Sequence, residues 1–243
     1  MKDYAKLWLD HKEKKANRDC TELKKFTFSG ADKDDVIVKN ASAELKNGLT
    51  AMLSIDPAIE YTGAAEPLAE SDGRAICENE EYTISIKDGG LSIEAKSSKG
   101  ILYGVFDVLR TVAVEKSVKL EYADAKSVRP SNPLRMLNHW DNMDGSIERG
   151  YSGESFFYEN NEIIVNERTK DYARLIASVG INAVVINNVN VKQAASYMIT
   201  DRYFEKLAEL GEIFAGYGIG LFLSLNYAST IEIGGMDSAD PLD

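Results

Sequence analysis

Residues 168–190, RTKDYARLIASVGINAVVINNVN, set an amphipathic helix directly before a buried strand. Tyr172, Leu175, Ile176 and Val179 recur at helical spacing and predict one apolar face between Arg168 and Val179. Gly180 is the expected stop. Ile181 to Ile186 is a near-continuous apolar run, the kind of strand that is covered on both faces in a parallel sheet. The alternation continues on either side. Leu134 to Leu137 predicts a short strand upstream. Downstream, Thr200 is expected to cap a helix bearing Tyr203, Leu207, Leu210 and Phe214, ended by Gly216 and Gly218. Ile219 to Leu225 then predicts a third apolar strand. The order β-α-β-α-β places the chain in the α/β class with a parallel sheet. It opens either a doubly wound sheet or a (β/α)8 barrel. In both, the polar segments after the strands (HWDNMDGS, NNVN and NYAST) share the edge where active sites form. No GxGxxG or GxxxxGK[ST] follows a strand, so the sequence offers no nucleotide-binding loop.

Residues 129–243 number 115, against about 250 for a complete barrel. Three strands cannot close, and the third would leave an apolar edge unpaired. The expectation is therefore a truncated (β/α)8 TIM barrel over 129–243, an incomplete barrel of three βα units at the start of a longer protein. Arg129-Pro130 and Asn132-Pro133 read as the linker into it. Residues 1–128 read as a small, non-catalytic N-terminal α/β domain. Its clearest feature is a hairpin, in which Tyr82, Ile84 and Ile86 alternate, Asp88-Gly89-Gly90 turns, and Leu91, Ile93 and Ala95 alternate back. A helix follows near Gly100, with Ile101, Leu102, Val105, Phe106 and Leu109 at helical spacing. Earlier, Tyr4, Leu7, Trp8 and His11 predict a first helix, Val36-Ile37-Val38 a short buried strand, and Ala41, Leu45, Leu49 and Met52 a helix weakened by Gly48. Asp56 to Asn79 reads as loop.

The formal net charge of −11, with both halves acidic, argues against nucleic acid and against an anionic membrane surface. The first fifteen residues carry charge throughout and lack the apolar core of a secretory signal. No run approaches the roughly 20 apolar residues of a membrane span. Cys20 and Cys77 lack CxxC spacing and read as free thiols of a cytoplasmic protein.

The segment from Leu134 to Phe157, LRMLNHWDNMDGSIERGYSGESFF, carries the chemistry. Trp140, flanked by His139 and Asp141 at a strand end, is the candidate sugar platform: an indole stacks on the apolar face of a pyranose while polar neighbours bond its hydroxyls. The competing reading is a core Trp. Asp141 is a candidate hydroxyl-binding residue. Asp144 before Gly145 reads as a turn residue, and Glu148 beside Arg149 as a local ion pair. Asn187, Asn188, Val189 and Asn190 either line a polar pocket or supply turn chemistry. Two histidines 128 positions apart do not suggest a zinc site, and there is no GxSxG.

RMLNHWDNMDGSIERGYSG, VGINAVVINNVN and LNYASTIEIGGMDSADPLD, in that order, closely resemble blocks of the α-glucuronidases of xylan breakdown, glycoside hydrolase family 67. The resemblance implies removal of α-1,2-linked 4-O-methylglucuronic acid from glucuronoxylan-derived xylooligosaccharides, with inversion and without metal or organic cofactor. It also implies an N-terminal α/β domain, a (β/α)8 barrel and a helical C-terminal region that commonly forms a homodimer. Trp140 and Asp141, with Asn188 and Val189, are the substrate-binding expectation. Within it Trp140 resembles the tryptophan that shapes the uronic acid pocket, and Val189 the small apolar position that makes room for the 4-O-methyl group. The family's acid and base carboxylates fall on later strands, so no residue here is assigned a catalytic role, and the chain by itself is expected to be inactive. The alternative is a non-catalytic carbohydrate-binding protein that uses Trp140.

Overall fold

The structure, a computed structural model, describes residues 9, 11–15, 18–63, 79–115, 117–190 and 193–240. These form a mixed α/β fold in two compact units. The first takes in the described residues up to Leu134 together with Leu175–Gly180 and Gly216–Gly218; the second takes the remainder.

The first unit runs α1 (Arg18–Glu22), β1 (Lys25–Ser29), α2 (Val36–Leu53), β2 (Ala58–Thr62), β3 (Tyr82–Lys87), β4 (Gly90–Ala95), α3 (Ser98–Glu115), α4 (Lys119–Tyr122) and β5 (Lys126–Val128). The five strands form one sheet in the order β2-β1-β4-β3-β5. The expected hairpin is present, with Ile84 opposite Ile93 and Ile86 opposite Leu91. Asp88 and Gly89 take φ of 51° and 76°, the left-handed pair a tight hairpin turn requires. Phe26 and Phe28 of β1 alternate into the core beside Ile84 and Ile93.

Three expectations are corrected here. Val36-Ile37-Val38 is the first turn of α2 and not a strand. The Asp35 carboxylate accepts from the Ile37 and Val38 N–H groups at 2.7 and 3.2 Å, a side-chain cap that outweighs the β preference of three branched residues, and Val36 is exposed. The stretch read as loop from Asp56 contains β2, which pairs in parallel with β1, while residues 64–78 lie outside the described residues. Gly48 does not mark a weak point: a Cβ there would sit 2.5 Å from Leu109 Cδ2, so its absence lets α2 and α3 touch. Tyr4, Leu7 and Trp8 lie outside the described residues, and His11 is in irregular chain.

The second unit contains β6 (Met136–Asn138), β7 (Tyr158–Glu159), β8 (Glu162–Ile163), α5 (Glu167–Ser178, its last turn in the first unit), β9 (Ala183–Val185), α6 (Gln193–Ser196), a 3-10 turn (Tyr197–Ile199), α7 (Asp201–Ala215), β10 (Gly220–Phe222) and α8 (Ser229–Gly234). The three predicted strands are parallel and lie in sequence order across the sheet, β10-β9-β6. Each is shorter than its apolar run. Val179 is exposed, and the buried side of α5 is Thr169, Ala173, Ile176 and Ala177. The Thr200 hydroxyl does not cap α7. It donates back to the Tyr197 carbonyl at 2.6 Å, closing the preceding 3-10 turn. The short β7–β8 hairpin, α6 and α8 carry no signal in the hydrophobic pattern. Among the described residues no helix is long and apolar enough to cross a membrane.

The Asp35 cap sets where α2 begins. Asp35→Ala is expected to lower stability by about 1 kcal/mol, read as a lower midpoint at unchanged slope in urea unfolding.

Candidate sugar-binding site

Strand register brings the three strand ends level. Asn138 and Phe222 both pair with Val185, so the segments starting at His139, Ile186 and Leu223 leave the sheet at one edge. The His139 N–H continues the ladder to the Val185 carbonyl at 2.9 Å.

The segment after β6 folds on itself before it reaches β7. Asp141 and Ile147 form an antiparallel bridge, as do Ser146 and Glu154. The Glu148 N–H donates to the Trp140 carbonyl and the Asn142 N–H to the Ser146 carbonyl, both at 2.8 Å. Asp144 accepts from the Ser146 N–H at 2.9 Å and from its hydroxyl at 2.5 Å, the turn role read from sequence. Glu148 and Arg149 form the expected ion pair, at 3.7 Å.

Asn188 secures this loop to the end of β9. Its N–H donates to the Asp141 carbonyl at 2.8 Å. Its side-chain amide donates to Asn142 Oδ1 and to the Glu148 carbonyl, each at 3.2 Å, and its Oδ1 accepts from the Asn190 N–H at 2.9 Å. Asn187 does the same for the next strand, exchanging two bonds of 2.9 and 2.8 Å with the Ser224 backbone. Asn142 completes the set, donating to the Glu148 carbonyl at 2.9 Å.

On either side of Trp140 in sequence, His139 and Asp141 belong to a polar chain in an aromatic box. Asp141 Oδ2 accepts from the Ser155 hydroxyl at 2.5 Å, while Oδ1 lies 3.6 Å from His139 Nδ1. His139 Nε2 is hydrogen-bonded to the Tyr172 hydroxyl. The His139 ring packs edge-on against Phe156, Phe157 and Tyr172. Burial, reinforced by the Asp141 charge, pushes the Tyr172 and Tyr158 phenols well above their ordinary value.

The four residues singled out from sequence separate into two layers. Trp140 is 37% exposed and Val189 51%, whereas Asp141 is 3% and Asn188 4% exposed. Asp141, read as a hydroxyl-binding residue, and Asn188 spend their polar atoms inside the loop. The cavity next to them, lined by Asp141, Met143, Asn161 and Asn188 among others, holds about 40 Å³, room for water and not for a sugar ring. Asn142, Ser155 and Tyr172 were not legible as site residues: each earns its place by a partner far off in sequence. Ser196 Oγ, Ser229 Oγ and Glu232 Oε2, on the contacting helices α6 and α8, are buried without a partner among the described residues. Among those residues no group of three or more His, Cys, Asp or Glu could hold a metal ion.

Residues 113–243 match the model of the glycosyl hydrolase family 67 middle domain. The chain belongs to glycoside hydrolase family 67. It is 36% identical over 191 residues to alpha-glucuronidase A of Emericella nidulans, covering 74% of this chain and 22% of that one. It is 39% identical over 163 residues to probable alpha-glucuronidase A of Aspergillus terreus, covering 67% and 18%. The aligned part is thus about a fifth of the length of these relatives. A solved family GH115 4-O-methyl-α-glucuronidase, with specificity for decorated arabinogalactans, shares the fold. It has a TM-score of 0.56 at 16% identity, over 91% of this chain and 32% of the other.

Two outcomes are expected. Asn188→Ala leaves Asn142 Oδ1 without its donor and takes one of two donors from the Glu148 carbonyl, which keeps Asn142 Nδ2, and should cost about 1–3 kcal/mol in chemical denaturation. The raised phenols give a pH dependence of known sign. Unfolded tyrosine ionises near pH 10, while Tyr158 and Tyr172 hold their protons to higher pH in the folded state. Their contribution is complete below about pH 10 and is lost as the pH rises above it. Melting temperature should therefore fall from about pH 10 upward, and fall less steeply in Tyr172→Phe.

Proposed function

We propose that this chain forms one wall of an inverting α-glucuronidase that removes (4-O-methyl)glucuronic acid from xylooligosaccharides. The observation that carries the reading is Trp140: a 37% exposed residue at the C-terminal edge of a parallel sheet, its carbonyl held by the Glu148 N–H of the loop. An aromatic face presented this way suits the apolar side of a pyranose. Val189, exposed at the end of the neighbouring strand, fits an apolar contact such as the 4-O-methyl group. Membership of family 67 and relatives named α-glucuronidase support the substrate class.

Three parallel strands in sequence order suit the opening βα units of a (β/α)8 barrel, in which the face carrying Trp140 would be the active-site face. In that arrangement this segment binds the uronic acid, and the acid and base carboxylates come from later strands, as the resemblance implies. Xylan-derived oligosaccharides are then the partners, and homodimer formation is a property of the whole protein.

The test is titration of aldotriouronic acid into a Trp8→Phe form of the chain, in which fluorescence reports on Trp140 alone. The expected result is saturable quenching, at least tenfold tighter than for unsubstituted xylotriose; by isothermal titration calorimetry, which needs no tryptophan, Trp140→Ala should bind the acid at least tenfold more weakly, in line with the ~1.5–3 kcal/mol of a buried aromatic face. Equal affinity for the two oligosaccharides would remove the uronic acid reading. Release of free 4-O-methylglucuronic acid in the same sample would overturn the placement of the acid and base on later strands.

A further inference from the structure

Glu148 is a carboxylate standing where glycine would be expected. Its φ is +60°, in the left-handed region that side chains rarely occupy. The same loop uses glycine for its other left-handed positions, Gly145, Gly150 and Gly153. The conformation is enforced from three sides. The Glu148 N–H donates to the Trp140 carbonyl at 2.8 Å, and the Glu148 carbonyl accepts from Asn142 Nδ2 at 2.9 Å and Asn188 Nδ2 at 3.2 Å. Two buried amides from different strand ends thus converge on one backbone oxygen. Surroundings that over-determine a disfavoured conformation are found at functional sites.

What the conformation places is the side chain. Asp141 bridges Ile147 in antiparallel fashion, and the Glu148 N–H bond to the Trp140 carbonyl ties the backbone of Glu148 to that of Trp140. The carboxylate is 18% exposed, and its contacts with the Tyr151 hydroxyl, 3.3 Å, and Arg149 Nε, 3.7 Å, both fall on Oε1. Among the described residues Oε2 has no such partner.

We infer that Glu148 is a further sugar-binding residue, its carboxylate held beside Trp140 to accept hydroxyls from the rim of the stacked pyranose. The inference rests on the proposed role of Trp140 and deepens it. A pyranose stacked on the indole points its equatorial hydroxyls outward past the ring edge, where a fixed anionic acceptor bonds them more strongly than a neutral one. The same charge repels the sugar's own carboxylate, which turns the uronic acid so that this group faces away from Glu148.

The test uses the Trp8→Phe chain, aldotriouronic acid and thermal melts. Glu148→Gly relieves the backbone, so its melting temperature should hold or rise by about 2 °C, while the sugar binds at least tenfold more weakly. Glu148→Gln, of the same shape, should bind severalfold more weakly. Asp88→Gly, which relieves the same conformation in the first unit's hairpin, should leave affinity unchanged. Parental affinity in Glu148→Gly overturns the inference and leaves Trp140's role standing. If Glu148→Gly melts early, Glu148→Gln decides: parental affinity there overturns the inference, and weaker binding upholds it. An unsubstituted Glu148 chain with no affinity for the sugar defeats the reading of Trp140, and this inference with it.

Discussion

The polar loop laid across the end of the second unit's sheet has to find partners for its own backbone, because buried N–H and C=O groups left unmet cost as much as a lost hydrogen bond. Asn188 meets much of that demand from a single residue. Its main chain takes the Asp141 carbonyl and its amide takes Asn142 and Glu148, so one side chain at the end of β9 fixes the loop that leaves β6. Asn187 repeats the arrangement toward β10 through Ser224. Three parallel strands are thereby cross-linked beyond their own ladders, at the edge where a ligand would arrive. Asparagine suits this task because its amide carries donors and an acceptor at once, without the desolvation cost of a charge.

Below that layer, aromatic packing and a polar chain fix the side chains that the loop covers. His139 is held by Tyr172 on one nitrogen, with the Asp141 carboxylate beside the other, and three rings close around it. The surroundings are apolar enough to suppress ionisation of Tyr158 and Tyr172, and the Asp141 charge adds to that effect. Asp141 is kept in place by the Ser155 hydroxyl, and Ser155 is in turn tied to Gly145, Phe157 and Tyr158 through hydrogen bonds.

Legibility followed the range of the interactions. The hairpin at Asp88-Gly89 and, after Leu134, the three parallel strands with the helices α5 and α7 rest on turn chemistry and hydrophobic period, both local, and they were read correctly. Val36 to Val38 was misread because branched residues suggest a strand, while the deciding contact, the Asp35 carboxylate on two N–H groups, belongs to capping. Gly48 was misread because its propensity is local and its reason, Leu109, is sixty-one positions away. In the site, Trp140 was conspicuous by residue type and position alone. Asn142, Ser155 and Tyr172 were not, since nothing in the spacing of 139 and 172, or of 142 and 188, announces a bond.

Residue type therefore drew attention to one loop without separating its buried layer from its exposed one. Asp141 and Asn188 look like hydroxyl binders from composition, yet a polar residue next to a ligand-facing aromatic has two possible partners, the ligand and the backbone that carries the aromatic. Burial decides between them. At 4% exposure Asn188 serves the backbone, and at 3% the Asp141 carboxylate serves the Ser155 hydroxyl and faces His139, so of the four only Trp140 and Val189 are exposed. A rigid indole needs that division. Its stacking energy depends on ring orientation, and an orientation held by a flexible loop would be lost to the entropy of ordering it on binding. By fixing the Trp140 carbonyl through Glu148, and Glu148 through two asparagines, the protein meets the ordering cost of that backbone during folding.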